Sequence, residues 1–216
     1  MRRAAVVVLA LVLCASAAGA TAPRGGPQVS ALFKGIPQHG VELGRHNAPV
    51  TLALFADLQC PYCARWERTV LPVIVRSYVR PGKVRLIFAG MTFLGPQSLS
   101  GLRAALAAGL QNRLWNLAAL VYLNQGAEGS GWLNDAFLRR VGAAVPGLDV
   151  AEMLAARRSA TVEQERRDAA NLAETGGVDG TPSFAVGRTN QGLHLLPHAE
   201  LTATALEPAL DALLQG

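Results

Sequence analysis

The residues with the most chemistry in this chain are two cysteines, Cys60 and Cys63, separated by Pro61 and Tyr62. A C-x-x-C pair has two common uses: half of a four-ligand metal site, or a dithiol that opens and closes as a disulfide. The first use needs a second pair of ligands. The other cysteine is Cys14, and His39, His46, His194 and His198 are not spaced to complete a zinc set. The second use needs a cysteine held as thiolate, the nucleophile of disulfide exchange. The redox reading is therefore the one adopted. It expects no metal and no cofactor beyond the Cys60–Cys63 disulfide, and the chain carries no flavin or nicotinamide motif.

Such a pair works only if its neighbours position it. The apolar run Val50 to Ala56 reads as a strand buried on both faces. An amphipathic pattern then runs from Pro61 to about Val79. With Pro61 at the first helical position, its missing N–H costs nothing and its fixed φ suits the helix. Cys60 becomes the N-cap, its sulfur facing the amides of Tyr62 and Cys63 and the positive end of the helix dipole. That setting lowers a cysteine pKa from about 8.5 into the range of roughly 3.5–7.5. Cys63 falls at N3 and starts the inward stripe Cys63, Trp66, Val70, Ile74, so it is expected to be the buried resolving thiol. Asp57, three residues before Cys60, has two readings: a proton-transfer group, or an ordinary polar residue near a helix N-terminus.

Around this centre the pattern is α/β. Thr21 to Gln28 reads as a linker, with two prolines and two adjacent glycines. Ala31 to Phe33 and Val41 to Leu43 are short strand candidates, and residues 21–40 together make a linker and N-terminal extension. Pro72 should kink the helix after Cys60, and Pro81-Gly82 should end it. Lys83 to Ala89 is a second strand, which makes a parallel βαβ unit with the first. From Gly95-Pro96 to about Gly176 the pattern is helical with short breaks: Ser98 to Leu123, Leu133 to Val145, Val150 to Ala156, and a last helix opened by a Thr161–Gln164 capping box. Trp115, Tyr122 and Trp132 read as packing residues of this region. Ser183 to Val186 and Leu193 to Leu196 make a hairpin, and Ala199 to Leu214 a closing helix interrupted at Pro208.

The 216 residues suit one domain with an insertion, and with half of them hydrophobic a substantial core is expected. The formal charge of +5 comes mainly from arginines scattered among acidic residues such as Glu163, Glu165 and Asp168. That pattern describes solvated helix faces, and nucleic acid is not expected as a partner. Residues 1–20 have the three parts of an export signal: Arg2-Arg3, the apolar segment Ala4 to Leu13, and the small residues Ala18-Gly19-Ala20. Left uncleaved, the same stretch would serve as a membrane anchor. The expected location is extracytoplasmic: periplasm, cell envelope or secreted. After cleavage Cys60 and Cys63 are the remaining cysteines, so none is used for stapling, and a C-x-x-C loop is too short to restrain much chain entropy.

Three stretches together resemble a known family. Phe55-Ala56-Asp57-Leu58-Gln59-Cys60-Pro61-Tyr62-Cys63, Phe93-Leu94-Gly95-Pro96-Gln97-Ser98 and Gly180-Thr181-Pro182-Ser183-Phe184 are similar to the DsbA-like branch of the thioredoxin superfamily, over about residues 41–216. The resemblance implies a thioredoxin-like fold, a mixed central sheet flanked by helices, split by a helical subdomain at about residues 98–160. It implies that Cys60 attacks, that Cys63 resolves, and that Pro182 is a cis-proline facing them. Thr181 would then pair with an extended substrate peptide. Many relatives carry a buried acid six residues before the first cysteine; here that residue is Leu54. The expected function is a thiol:disulfide oxidoreductase that oxidises unfolded or partly folded cysteine-containing proteins and is reoxidised by a membrane partner. A reductase or isomerase would run the same chemistry in another direction. A chaperone-like peptide-binding module is the alternative outside enzymology, though it has no need of a dithiol at a helix N-terminus.

Overall fold

The computed structural model describes residues 22–197 and 202–215; the expected signal segment and its cleavage site lie outside them. Six strands form one mixed sheet in the order β1-β2-β4-β3-β5-β6. They are β1 (Gln38–His39), β2 (Glu42–Leu43), β3 (Val50–Ala56), β4 (Val84–Gly90), β5 (Ser183–Arg188) and β6 (His194–Leu196). β3 lies at the centre, parallel to β4 and antiparallel to β5, and all seven of its residues are buried. Its side chains alternate between two apolar layers, as the two-residue period of a strand requires. Leu52, Leu54 and Ala56 join the larger layer, and Ala53 and Phe55 the smaller one with Ala173 and Ala185.

The helix after Cys60 is broken as Pro72 foretold. α2 (Pro61–Thr69) ends at Val70, and α3 (Leu71–Ile74) takes Pro72 into its first turn, where a missing N–H is harmless. A π-helical turn, Val75–Val79, completes the run. The helical subdomain comprises α4 (Pro96–Gly109), α5 (Leu114–Leu123), α6 (Asp135–Gly142) and α7 (Val150–Ala156). α8 (Ala160–Gly176) returns the chain to the sheet, and α9 (Ala203–Gln215) closes it as one helix that runs through Pro208, where an interruption was expected. Gly90 ends β4 where α4 crosses it: a Cβ there would collide with the Leu102 side chain. The small residue thus sets how closely the subdomain seats on the strand beside the cysteines.

Several expectations need correction. The strand expected at Ala31 to Phe33, with the last three residues of the supposed linker, is helix α1 (Gly26–Phe33), with Pro27 in its first turn and Val29 and Phe33 buried. Of the apolar run that suggested a strand only Phe33 is buried, and with Val29, four residues earlier, it makes one stripe of a short helix. The run from Ser98 to Leu123 is two helices, separated where Asn112 adopts a positive φ of 56°. Leu133 to Val145 is helical only over α6, capped by the Asn134 side chain. The cap of α8 is Ser159, whose hydroxyl accepts from the Val162 amide, so the helix starts before the proposed Thr161 box. The β5–β6 hairpin forms as expected, and β5 lies inside the sheet.

Candidate active site

Cys60 sits where β3 hands over to α2, as the N-cap with an extended backbone, and Pro61 occupies the first helical position. Its sulfur accepts from the Cys63 amide at 3.4 Å. Across the site the Thr181–Pro182 bond is cis, and the Thr181 carbonyl lies 3.2 Å from the Cys60 sulfur, accepting from it in the thiol form. Residues 121 positions apart are thus brought into contact. This happens because β5, which begins just after Pro182, pairs with β3 along Phe55↔Ser183 to Val50↔Arg188. Both cysteines are free thiols and nearly enclosed, Cys60 at 4% exposure and Cys63 at 2%.

The two thiols are driven apart electrostatically. The Cys63 thiol hydrogen-bonds to the Cys60 sulfur and, with the Thr181 side chain and the amides of Cys63 and Tyr62, outweighs burial to bring Cys60 down to about 6. Cys63 is pushed well above its ordinary value, first by burial and then by the neighbouring Cys60 sulfur. At neutral pH the pair is therefore one thiolate and one thiol, the composition a nucleophile and its resolving partner need.

Asp57 lies close by and is fully buried, but its carboxylate is occupied. One oxygen accepts from the Gln59 amide (2.8 Å) and the Ser98 hydroxyl (2.7 Å), the other from the Leu94 amide (3.1 Å). Asp57 thus ties the cysteine turn to the loop before α4. Gln59 adds to that tie by donating to the Leu94 carbonyl and to Ser98. From α5, Tyr122 donates to the Asp57 carbonyl at 3.2 Å, and just beyond it Gln125 donates to the carbonyls of Leu58 and Cys60. Behind Cys63, the rings of Trp66 and Phe184 pack at 5.4 Å. Tyr62, next to Cys63 in the motif, and Phe93, beside the Leu94 that Asp57 holds, are exposed at 61% and 52%.

The structure thus brings Cys60, Cys63, Pro61, Tyr62, Thr181 and Pro182 together, and gives Asp57 a bracing position. Of the supporting residues Gln59, Ser98, Tyr122 and Gln125, sequence reasoning singled out only Tyr122, and as a packing residue; none was given a part in the site. Their signal was spatial, since three of them belong to the helical subdomain. A further residue was missed. Glu67, one helical turn beyond Cys63, is buried in α2 with Oε1 unpartnered. Among the described residues no group of three or more His, Cys, Asp or Glu side chains could hold a metal ion, and no helix is long and apolar enough to cross a membrane.

A family model described as thioredoxin matches residues 38–211. A relative from Bacillus cereus named probable disulfide bond formation protein D is 31% identical over 147 residues, which span 67% of this chain and 68% of the relative. Among solved structures, oxidised BdbD from Bacillus subtilis aligns with a TM-score of 0.71 at 18% identity, covering 84% of this chain and 98% of that one. A thioredoxin-like oxidoreductase from Silicibacter pomeroyi aligns at 0.64 and 25% identity, covering 87% and 98%.

Proposed function

The chain belongs to the thioredoxin family, and from that premise we propose that it is an exported thiol:disulfide oxidoreductase that introduces disulfides into other proteins. The observation that carries this reading is the pairing of a Cys60 held at about 6 with a Cys63 held well above its ordinary value, beside the cis Thr181–Pro182 bond. A substrate thiolate attacks the Cys60 sulfur of the oxidised protein. The Cys60–Cys63 bond breaks and a mixed disulfide to Cys60 forms. A second substrate thiolate then attacks the substrate sulfur of that mixed disulfide, and Cys60 leaves as the thiolate. The substrate loses two electrons and gains a disulfide; the protein leaves as the dithiol. A low Cys60 pKa favours its later departure, because a stabilised thiolate is the better leaving group.

The recognition surface is consistent with unfolded substrates. An extended peptide laid against Thr181 is held through its main chain, which is blind to sequence. Tyr62 and Phe93 offer apolar contact to whatever side chains flank the reacting cysteine. Reoxidation by a membrane-bound redox partner completes the cycle, and the apolar segment of residues 1–20 supports a location outside the cytoplasm. The test uses the mature protein with Cys63→Ser, its Cys60 first activated as a mixed disulfide with a small aromatic thiol, and a reduced, unfolded two-cysteine protein. A protein–protein adduct through Cys60, with loss of one pair of substrate thiols per molecule of oxidised wild type, is expected. No adduct and no thiol loss would overturn the reading.

A further inference from the structure

Disulfide exchange makes no use of a cavity of about 570 Å³ that lies between α1, α5 and the helical run after the cysteines. Its volume is within the roughly 300–1,000 Å³ of sites that enclose a small molecule. Three walls are apolar: Val29 and Leu32 of α1, Pro72 of α3, and Ala119 and Leu123 of α5. Residues four apart share a helix face, which is how Ala119 and Leu123 come to line it together.

The same spacing sets a different chemistry along one edge. Arg68, Pro72, Arg76 and Arg80 recur every four residues, and all of them border the cavity. Arg80 is committed, donating to the carbonyls of Leu32 and Lys34 at the end of α1. Arg68 and Arg76 are exposed and form no ion pair among the described residues.

Among the described residues of the lining, Glu67 alone is acidic, and it does not answer those charges. It is 5% exposed, and its Oε1 is buried with no hydrogen-bond partner. Native proteins rarely leave a buried carboxyl oxygen unpaired, so such a group calls for a reason. Burial raises Glu67 to about 8, so at pH 7 it holds its proton. In that form it repels no anion and has an O–H to donate. An apolar cavity edged by free guanidinium groups and one unpaired neutral acid asks for a ligand with an anionic head and an apolar tail.

Two other occupants fit less well. Val29 and Ala119 are recessed, at 5% and 3% exposure, where a flat membrane surface does not reach and a single chain does. Residues 1–20 are apolar enough, but they carry Arg2 and Arg3 and no acidic residue, the wrong charge for this edge. We propose that the cavity binds one single-chain anionic amphiphile, of the free fatty acid class, with its head among Arg68, Arg76 and Glu67 and its chain between α1 and α5. The proposal does not depend on the oxidoreductase reading.

The test titrates the oxidised protein with dodecanoate, below its micelle concentration, by calorimetry at pH 7 and 9.5. Saturable one-to-one binding is expected at pH 7. Arg68→Ser with Arg76→Ser should weaken it on the order of tenfold or more, as loss of charged hydrogen bonds does. Both residues are exposed, so the fold should survive, and near-UV circular dichroism checks that. Dodecyl maltoside, the same chain on a neutral head, should bind at least about tenfold more weakly than dodecanoate. Wild-type affinity should fall between the two pH values as Glu67 ionises, whereas Glu67→Gln, which keeps a donor, should not show the fall. No other group near Glu67 titrates in that range: the three arginines stay charged, the disulfide holds both cysteines, and Tyr122 of α5 is pushed well above its ordinary value. Absent or unsaturable binding, equal binding of the maltoside, an unaffected arginine variant or a flat wild-type pH response would each overturn the proposal. So would binding to phosphatidylglycerol vesicles without binding to dodecanoate, which would make this face a membrane contact.

Discussion

Cys60 and Glu67 stand on the same helix and are perturbed for opposite reasons: hydrogen bonds stabilise one charge, and burial suppresses the other. The consequence for Glu67 is a stability cost that depends on pH. Its folded pKa of about 8 lies above the ordinary 4.5, so unfolding at neutral pH releases a proton. Relative stability is fully present below 4.5 and is lost as pH rises through about 8. Glu67→Gln removes this term and breaks no hydrogen bond shown for the side chain. It should raise the unfolding free energy at pH 7 by about 3 kcal/mol, and by close to nothing at pH 4. Urea midpoints at the two pH values check this, and a variant no more stable at pH 7 would refute it. Cys60 and Cys63 were legible in the sequence because N-cap chemistry is local. Glu67 was not, since between Arg65 and Arg68 a glutamate reads as solvated. What encloses it is packing by α1 and α5, and the first of these was mistaken for a linker and a strand.

The elements around the cysteines are packed in the apolar core and joined as well by a few buried polar ties. Asp57 is the chief of them, joining the end of β3 to the loop before α4 through Gln59, Leu94 and Ser98. Asp57→Ala would strand the amides of Gln59 and Leu94 and the Ser98 hydroxyl at once. The expected loss is about 2–4 kcal/mol, given that hydrogen bonds to charged groups are worth roughly 1.5–3 kcal/mol each and water replaces some of them. Hydrogen exchange at the Leu94 amide should accelerate by more than global destabilisation explains. Uniform acceleration across the sheet would show that Asp57 does not brace this loop in particular. At this scale the sequence was partly legible. β3, β5 and α7 follow directly from composition and period, and the break at Pro72 from its missing donor. The division between α4 and α5 was hidden because leucines continue through it at helical spacing, and only the backbone turn at Asn112 separates them.

At the scale of the molecule, the sheet order and the helical insertion agree with the expected thioredoxin-like plan, because a buried β3 needs partners on both edges and a covered face on each side. The state of the disulfide then bears on the stability of the whole. The Cys60 thiolate is favoured only in the folded, reduced protein. With a folded pKa of about 6 against an ordinary 9.0, its contribution is complete above pH 9 and disappears as pH falls through 6. At pH 7 it amounts to about 1.4 kcal/mol. Cys63 adds nothing there, being protonated in both folded and unfolded states. The oxidised protein lacks this term, and its four-residue loop restrains the unfolded chain only modestly. Reduced protein should therefore resist urea better than oxidised protein at pH 7, with the gap closing by pH 5. A more stable oxidised form would favour the reductase direction. The 121-residue separation between Cys60 and Thr181 also acts in time. Synthesis delivers the cysteine long before its partner, and β5 can pair with β3 only once about residue 188 has been made. Until then Cys60 lacks the Thr181 contact and the wall that Pro182 provides. The growing chain therefore carries a Cys60 activated by its own helix alone, and gains the Thr181 contact only when β5 has been made.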